Sequence, residues 1–120
     1  MNTTENNKII AEFMGWKLGH PDLFELRWSN EWFDDRNKKT TKGYLHFHSD
    51  WNWLMEVVEK IENTSFGEQN YKFQVLIQNN QCSIEQSNLF NTKRHYGKNK
   101  IQAVYSACVE FIKWYNEQKL

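Results

Sequence analysis

A chain of 120 residues with fifteen Lys and Arg against fifteen Asp and Glu has no net formal charge, which excludes a bulk polyanion binder and equally an acidic mimic of nucleic acid. That length holds one modest hydrophobic core, and six Trp, five Tyr and eight Phe supply it with large rigid bodies while leaving some for a surface. Cys82 and Cys108 stand apart from any CxxC or dense cysteine framework, the pattern of buried, reduced thiols.

The opening MNTTENNKIIAEF lacks a basic stretch followed by an apolar run, and no segment reaches the roughly 20 apolar residues that cross a bilayer. A soluble, cytoplasmic protein with no membrane partner is expected. Ile9, Ile10, Phe13 and Met14 recur at helical spacing and stop before Gly15, predicting a short first helix. In GHPDLFELRWS, Phe24, Leu26 and Trp28 share one parity and Glu25 and Arg27 the other, as in a half-buried strand. The polar stretch NEWFDDRNKKTTKG then reads as a loop, and YLHFHS as a second strand with Leu45 and Phe47 on one side.

Ser49 or Asp50 can cap the helix that follows, in which Trp51, Leu54, Met55, Val58 and Ile61 form one stripe. YKFQVLIQNNQCSIEQ predicts a hairpin turning at Asn79 and Asn80, with Phe73, Val75, Ile77, Cys82 and Ile84 of matching parity. SNLFNTKRHYGKNK lacks a clear period and reads as loop, with a short strand as the other option within it. Ile101, Val104, Tyr105, Cys108, Phe111, Ile112 and Tyr115 define a long last helix. The order helix-strand-strand-helix-strand-strand-helix predicts an α+β fold for 1–120 as a single domain: a mainly antiparallel four-stranded sheet with helices packed on its faces.

Few groups offer chemistry. His46 and His48 on one strand face, with Asp50 beyond, permit a divalent metal without requiring one; capping by Asp50 and a polar sheet face explain them more simply, and neither metal nor cofactor is assigned. A small metal-dependent enzyme built on that histidine pair stays an alternative. Neither cysteine has a local histidine partner, and Walker, dinucleotide and HExxH motifs are absent. No catalytic residue is expected.

Binding candidates are clearer. Trp32 and Phe33, flanked by Glu31, Asp34 and Asp35, either fold over the core or form an exposed anchor of the hot-spot kind. Lys93, Arg94 and Lys98, with Arg36, can orient a protein partner by charge. Alternatively Lys93 and Arg94 contact phosphates while His95 or Tyr96 stacks on a base. Near-zero net charge and the broad stripe of the last helix also allow a homodimer.

The blocks IIAEFMGWK at 9–17, YLHFHSDWNWLMEVVEKIEN at 44–63 and IQAVYSACVEFIKWYNEQK at 101–119 resemble a family of small phage and prophage proteins of Bacteroidetes, described as a phage ABA sandwich domain. The resemblance implies a sheet sandwiched by helices, a mobile-element origin and a bacterial host, and it brings no catalytic residues. The chain departs from that pattern in the aromatic, charged insert around 28–42 and at Glu56, where the family commonly has proline. A catalytically bare protein of that origin, with aromatic surface, is expected to bind other proteins. An inhibitor of a bacterial defence protein or ribonucleoprotein, such as a CRISPR effector, fits; a nucleic-acid-binding accessory is the alternative.

Overall fold

The first helix, α1 (Thr3–Phe13), begins well before the apolar spacing does. Its stop is set by Gly15, whose φ of 83° lies in the left-handed region. The Gly15 amide donates to Glu12 (3.0 Å) and the Trp16 amide to Ala11 (2.9 Å), the paired bonds by which a left-handed residue closes a helix. The computed structural model containing this helix describes residues 3–18, 32–33, 39–41, 45–67, 71–86, 90–91 and 94–118. The chain divides into two compact units, Met1–His46 and Phe47–Leu120.

In the first unit, α1 buries Ile10 and Ala11 together with two asparagines, Asn6 and Asn7. Burial of an amide is tolerated where it is bonded, and Asn7 Nδ2 donates to the Leu45 carbonyl at 3.1 Å. Three short strands, β1 (Lys17–Leu18), β2 (Trp32–Phe33) and β3 (Lys39–Thr41), form an antiparallel sheet in that order, with a register shift at Trp32/Phe33. The expected loop around Trp32 and Phe33 is therefore strand at its described positions. The strand expected over GHPDLFELRWS falls outside the described residues.

The chain departs from expectation just ahead of its second helix. Residues 45–49, expected as strand, are coil and turn. Leu45, His46, Phe47 and His48 alternate as a strand would, but the chain turns at Phe47–Ser49 to enter a helix. Phe47 is fully buried and meets Trp53 edge-on, with ring centroids 5.3 Å apart. That edge-on contact seats the turn against the first turn of the helix. The helix, α2 (Trp51–Glu62), is capped by Asp50, which accepts from the Asn52 amide at 2.9 Å and the Trp53 amide at 3.4 Å, a contact worth about 1 kcal/mol.

Beyond α2 lie β4 (Ser65–Phe66) and β5 (Tyr71–Lys72), paired with each other, and then the hairpin β6 (Gln74–Gln78) and β7 (Gln81–Gln86). Both β8 (Phe90–Asn91) and β9 (His95–Tyr96) pair antiparallel with β7, on the side away from β6. The expected four-stranded sheet is thus not a single sheet drawn from both halves of the chain. Among the described residues there are three separate antiparallel sheets, and the four-stranded one comes entirely from 74–96.

The last helix, α3 (Lys100–Gln118), lies against β7 and β9 and meets α2, which in turn lies against β6. Strand alternation explains this arrangement. Cys82, Ile84 and Gln86 of β7 are buried beneath the helices, while Gln74, Leu76 and Gln78 of β6 are exposed. On the helical side, Leu54, Val57, Val58 and Ile61 meet the core with Ala103, Val104, Cys108, Phe111 and Ile112. Gln86 anchors the small β4–β5 hairpin, its Nε2 donating to the carbonyls of Phe66 (2.8 Å) and Tyr71 (2.6 Å). Nearby, Phe66 meets Trp114 edge-on at 5.1 Å and Phe73 meets Phe111 at 4.7 Å.

The hairpin tip is clasped to the strand beside it. Asn79 carries a φ of 53°, which asparagine tolerates better than most residues. Asn80 then exchanges two bonds with Gly97: its carbonyl accepts from the Gly97 amide at 3.0 Å, and its Nδ2 donates to the Gly97 carbonyl at 2.8 Å. Glycine is required there, because a Cβ would sit 2.6 Å from the Ala103 amide nitrogen.

Candidate functional site

Two faces of the β6–β7–β9 sheet offer different chemistry. On the helix-covered face, Cys82 lies directly opposite His95, and the His95 Nε2 is bonded to the Glu110 carboxylate of α3. Thiol, imidazole and carboxylate in that order are the parts of a cysteine nucleophile with its base and orienting acid. The Cys82 side chain is 1% exposed, however, and burial pushes its thiol up to about 11. A catalytic cysteine needs the reverse, a lowered pKa and access for substrate. Cys108 is fully buried and its thiol is also raised, first by burial and then by the neighbouring Cys82. The bond from His95 to Glu110 links β9 to α3, with the Cys82 thiol buried beside it.

Among the described residues no group of three His, Cys, Asp or Glu side chains is placed to hold a metal ion. His46 precedes the turn and His48 lies within it, both exposed, so they do not share a strand face. The His48 ring lies edge-on to Tyr105 with centroids 6.2 Å apart.

The other face of the sheet is open. Alternation puts Arg94 and Tyr96 on the side opposite the inward-turned His95, and Tyr96 stands across from Gln81. Gln81 in turn pairs with Gln78, and Leu76 with Ser83. Tyr96 is 66% exposed and Leu76 46%, and Arg94 and Lys98 are exposed too. A groove of about 530 Å³ runs along the hairpin, lined by Leu76, Gln78, Gln81, Ser83 and Arg94 among others. Aromatic and aliphatic contact area, amide groups that donate and accept, and a guanidinium are therefore gathered on one surface.

Of the residues expected to bind, the structure puts Tyr96 in β9 and Arg94 along the groove just before it, while Lys98 lies in the bend that leads into α3, its amide donating to Gln102. His95 belongs to the covered face and is engaged by Glu110. Trp32 and Phe33 belong to the other unit, as strand; Arg36 and Lys93 fall outside the described residues. Leu76, Gln78 and Gln81 were missed, although a leucine on the same parity as Gln74 and Gln78 is the signal that could have found them.

Comparison of the chain with protein-family models, with curated proteins and with solved structures finds no match. No helix among the described residues is long and apolar enough to cross a membrane.

Proposed function

We propose that this chain is a non-catalytic, phage-derived protein-binding module whose contact surface is the open face of the β6–β7–β9 sheet. One observation carries the reading: Tyr96 is two-thirds exposed on a sheet face that also presents Leu76 and Arg94. Tyrosine and arginine are the side chains that dominate binding energy at protein interfaces, because each joins a rigid contact area to polar groups. The resemblance in the three sequence blocks supplies the class of partner, a bacterial defence protein or ribonucleoprotein such as a CRISPR effector. Action by occlusion needs no turnover and no cofactor.

The test is affinity capture by the tagged protein from a Bacteroidetes lysate, with and without nuclease, beside the variants Tyr96→Ser and Arg94→Glu. A stoichiometric, nuclease-resistant protein complex that both variants lose is the expected result. Retention of the complex by both variants moves the contact elsewhere and removes this surface from the reading.

Direct nucleic-acid contact is the second reading, favoured by the placement of Tyr96 between Arg94 and Lys98. A ring for stacking with cations for phosphates on either side is the chemistry of single-strand binding. Nuclease-sensitive capture, with an affinity that falls steeply as salt is added, is its signature.

A further inference from the structure

Strand β6 is the outermost strand of its sheet. The pairing runs β6–β7–β8, with β9 also on β7, and among the described residues no strand pairs with the outer side of β6. Gln78 and Gln81 flank the two-residue turn at Asn79 and Asn80 and therefore exchange both of their backbone bonds, as do Leu76 with Ser83 and Gln74 with Glu85. The residues between, Val75 and Ile77, turn their N–H and C=O groups to the free side.

Native sheets guard such an edge with a charge, a proline, a bulge or a very short strand. The opposite side of this sheet follows that rule, since β8 and β9 have two residues each. In contrast, the five residues of β6, QVLIQ, contain no charge, proline or glycine, and their register with β7 is continuous. Leu76 is 46% exposed, and Val75 and Ile77 on the other face stay only half-buried.

The same five residues are complementary to themselves. Set antiparallel to a second copy about a two-fold axis at Leu76, β6 puts Val75 opposite Ile77, Gln74 opposite Gln78 and Leu76 opposite Leu76. Val75 and Ile77 then form the hydrogen-bonded pairs, which satisfies every outward backbone group of both residues in both copies. The glutamine amides donate to and accept from each other, and the two Leu76 side chains meet at a closely spaced position, with Cβ atoms roughly 5 Å apart. No charge opposes another, because the nearest on this stretch of chain, Lys72, falls opposite Asn80.

We propose that two copies of this chain pair through β6, antiparallel about Leu76, into one continuous sheet. The same strand is used by both copies, so the contact is closed and stops at two chains. Its axis stands perpendicular to the sheet, which leaves Arg94 and Tyr96 of both copies on the same open side. A partner that is itself two-fold then meets two equivalent surfaces on one platform and gains by avidity. The self-contact goes beyond the partner-binding reading and stands without it, because it forms in purified protein.

Light scattering coupled to size exclusion, on the purified full chain from micromolar to near-millimolar concentration, reads it directly. The average mass is expected to climb to twice that of one chain, to stop there, and to hold at about 1 M salt, since no ion pair crosses the contact. Val75→Pro removes one outward N–H and spares the ladder with β7, proline being accepted where the N–H of an edge strand faces solvent; it is expected to stay a single chain. Leu76→Lys and Leu76→Glu change an exposed position and set like charges directly opposite each other, so each alone is also expected to stay single. Their equimolar mixture is expected to pair again, Lys against Glu, the signature of a contact that sets position 76 against itself. Circular dichroism verifies the folding of all three variants, and if Val75→Pro fails to fold the two Leu76 variants decide alone.

A wild-type mass that stays at one chain throughout overturns the proposal and leaves the edge to a strand from another protein. A mass that climbs past two chains overturns it in favour of a head-to-tail contact. So does a folded Val75→Pro that pairs to the wild-type extent, or a mixture of the Lys and Glu variants that remains dissociated, in favour of an interface elsewhere. None of these outcomes depends on what a lysate yields.

Discussion

His95 and Glu110, fifteen residues apart, are bonded side chain to side chain, Nε2 to carboxylate, and so tie strand β9 to helix α3. The two side chains keep 26% and 41% of their exposure, and partly hydrated pairs of this kind contribute little. Changing His95→Gln and Glu110→Gln singly and together, with urea unfolding of all four proteins, is expected to return a coupling below about 1 kcal/mol. Strict additivity of the two changes would show that the pair contributes nothing to stability.

Gln86 matters more, because it is buried and its one amide group donates to two carbonyls on the β4–β5 hairpin. Gln86→Leu keeps the volume close and removes both donors, which is expected to cost about 2 kcal/mol. The loss is local in origin, so the fluorescence of a variant with Phe at the other five tryptophans, which reports Trp114 packed on Phe66, shifts before the far-ultraviolet circular dichroism does at low urea. Coincident transitions with unchanged stability would remove this anchoring role.

Alkaline pH should unfold the second unit. Burial pushes the Cys82 thiol from its ordinary 9.0 up to about 11, and the Tyr105 hydroxyl from 10.0 up to about 12. Both groups are neutral when protonated, and the unfolded chain releases their protons at the lower, ordinary values. Stability is therefore complete below pH 9 and falls as pH rises through 11 towards 12. Urea midpoints measured across that window are expected to decline, and Cys82→Ala to flatten the first part of the decline. A wild-type midpoint constant from pH 9 to 11 would contradict the burial argument.

Helices were legible in the sequence because their signals are local and redundant. Asp50 marks the start of α2, Gly15 the end of α1, and the apolar spacing of α3 runs from Ile101 to Tyr115, within the observed Lys100–Gln118. The β6–β7 hairpin was equally legible, since Asn79 and Asn80 separate two stretches of matched parity. The segment Leu45–His48 misled because four alternating residues suit an extended approach to a helix as well as a strand. What distinguishes the two is a tertiary contact, Phe47 on Trp53.

The candidate surface was legible only in part. Arg94, Tyr96 and Lys98 stand out as a basic, aromatic cluster in the sequence. That His95 turns away from them, and that Leu76 and Gln81 join them, depends on the pairing of β9 with β7. Such a pairing of two-residue strands is decided by long-range packing on α3 and leaves no local period to read.

The clasp between Asn80 and Gly97 sets neighbouring codons under opposite constraints. At position 96 the side chain points into solvent, so saturation mutagenesis scored for folding alone should accept nearly any residue there. One position further on, every alternative to glycine meets the backbone of the helix start, and the same screen should accept almost none. Selection for binding would reverse the tolerance at position 96 and leave the intolerance at 97 untouched, so the difference between the two screens isolates recognition from architecture one residue at a time.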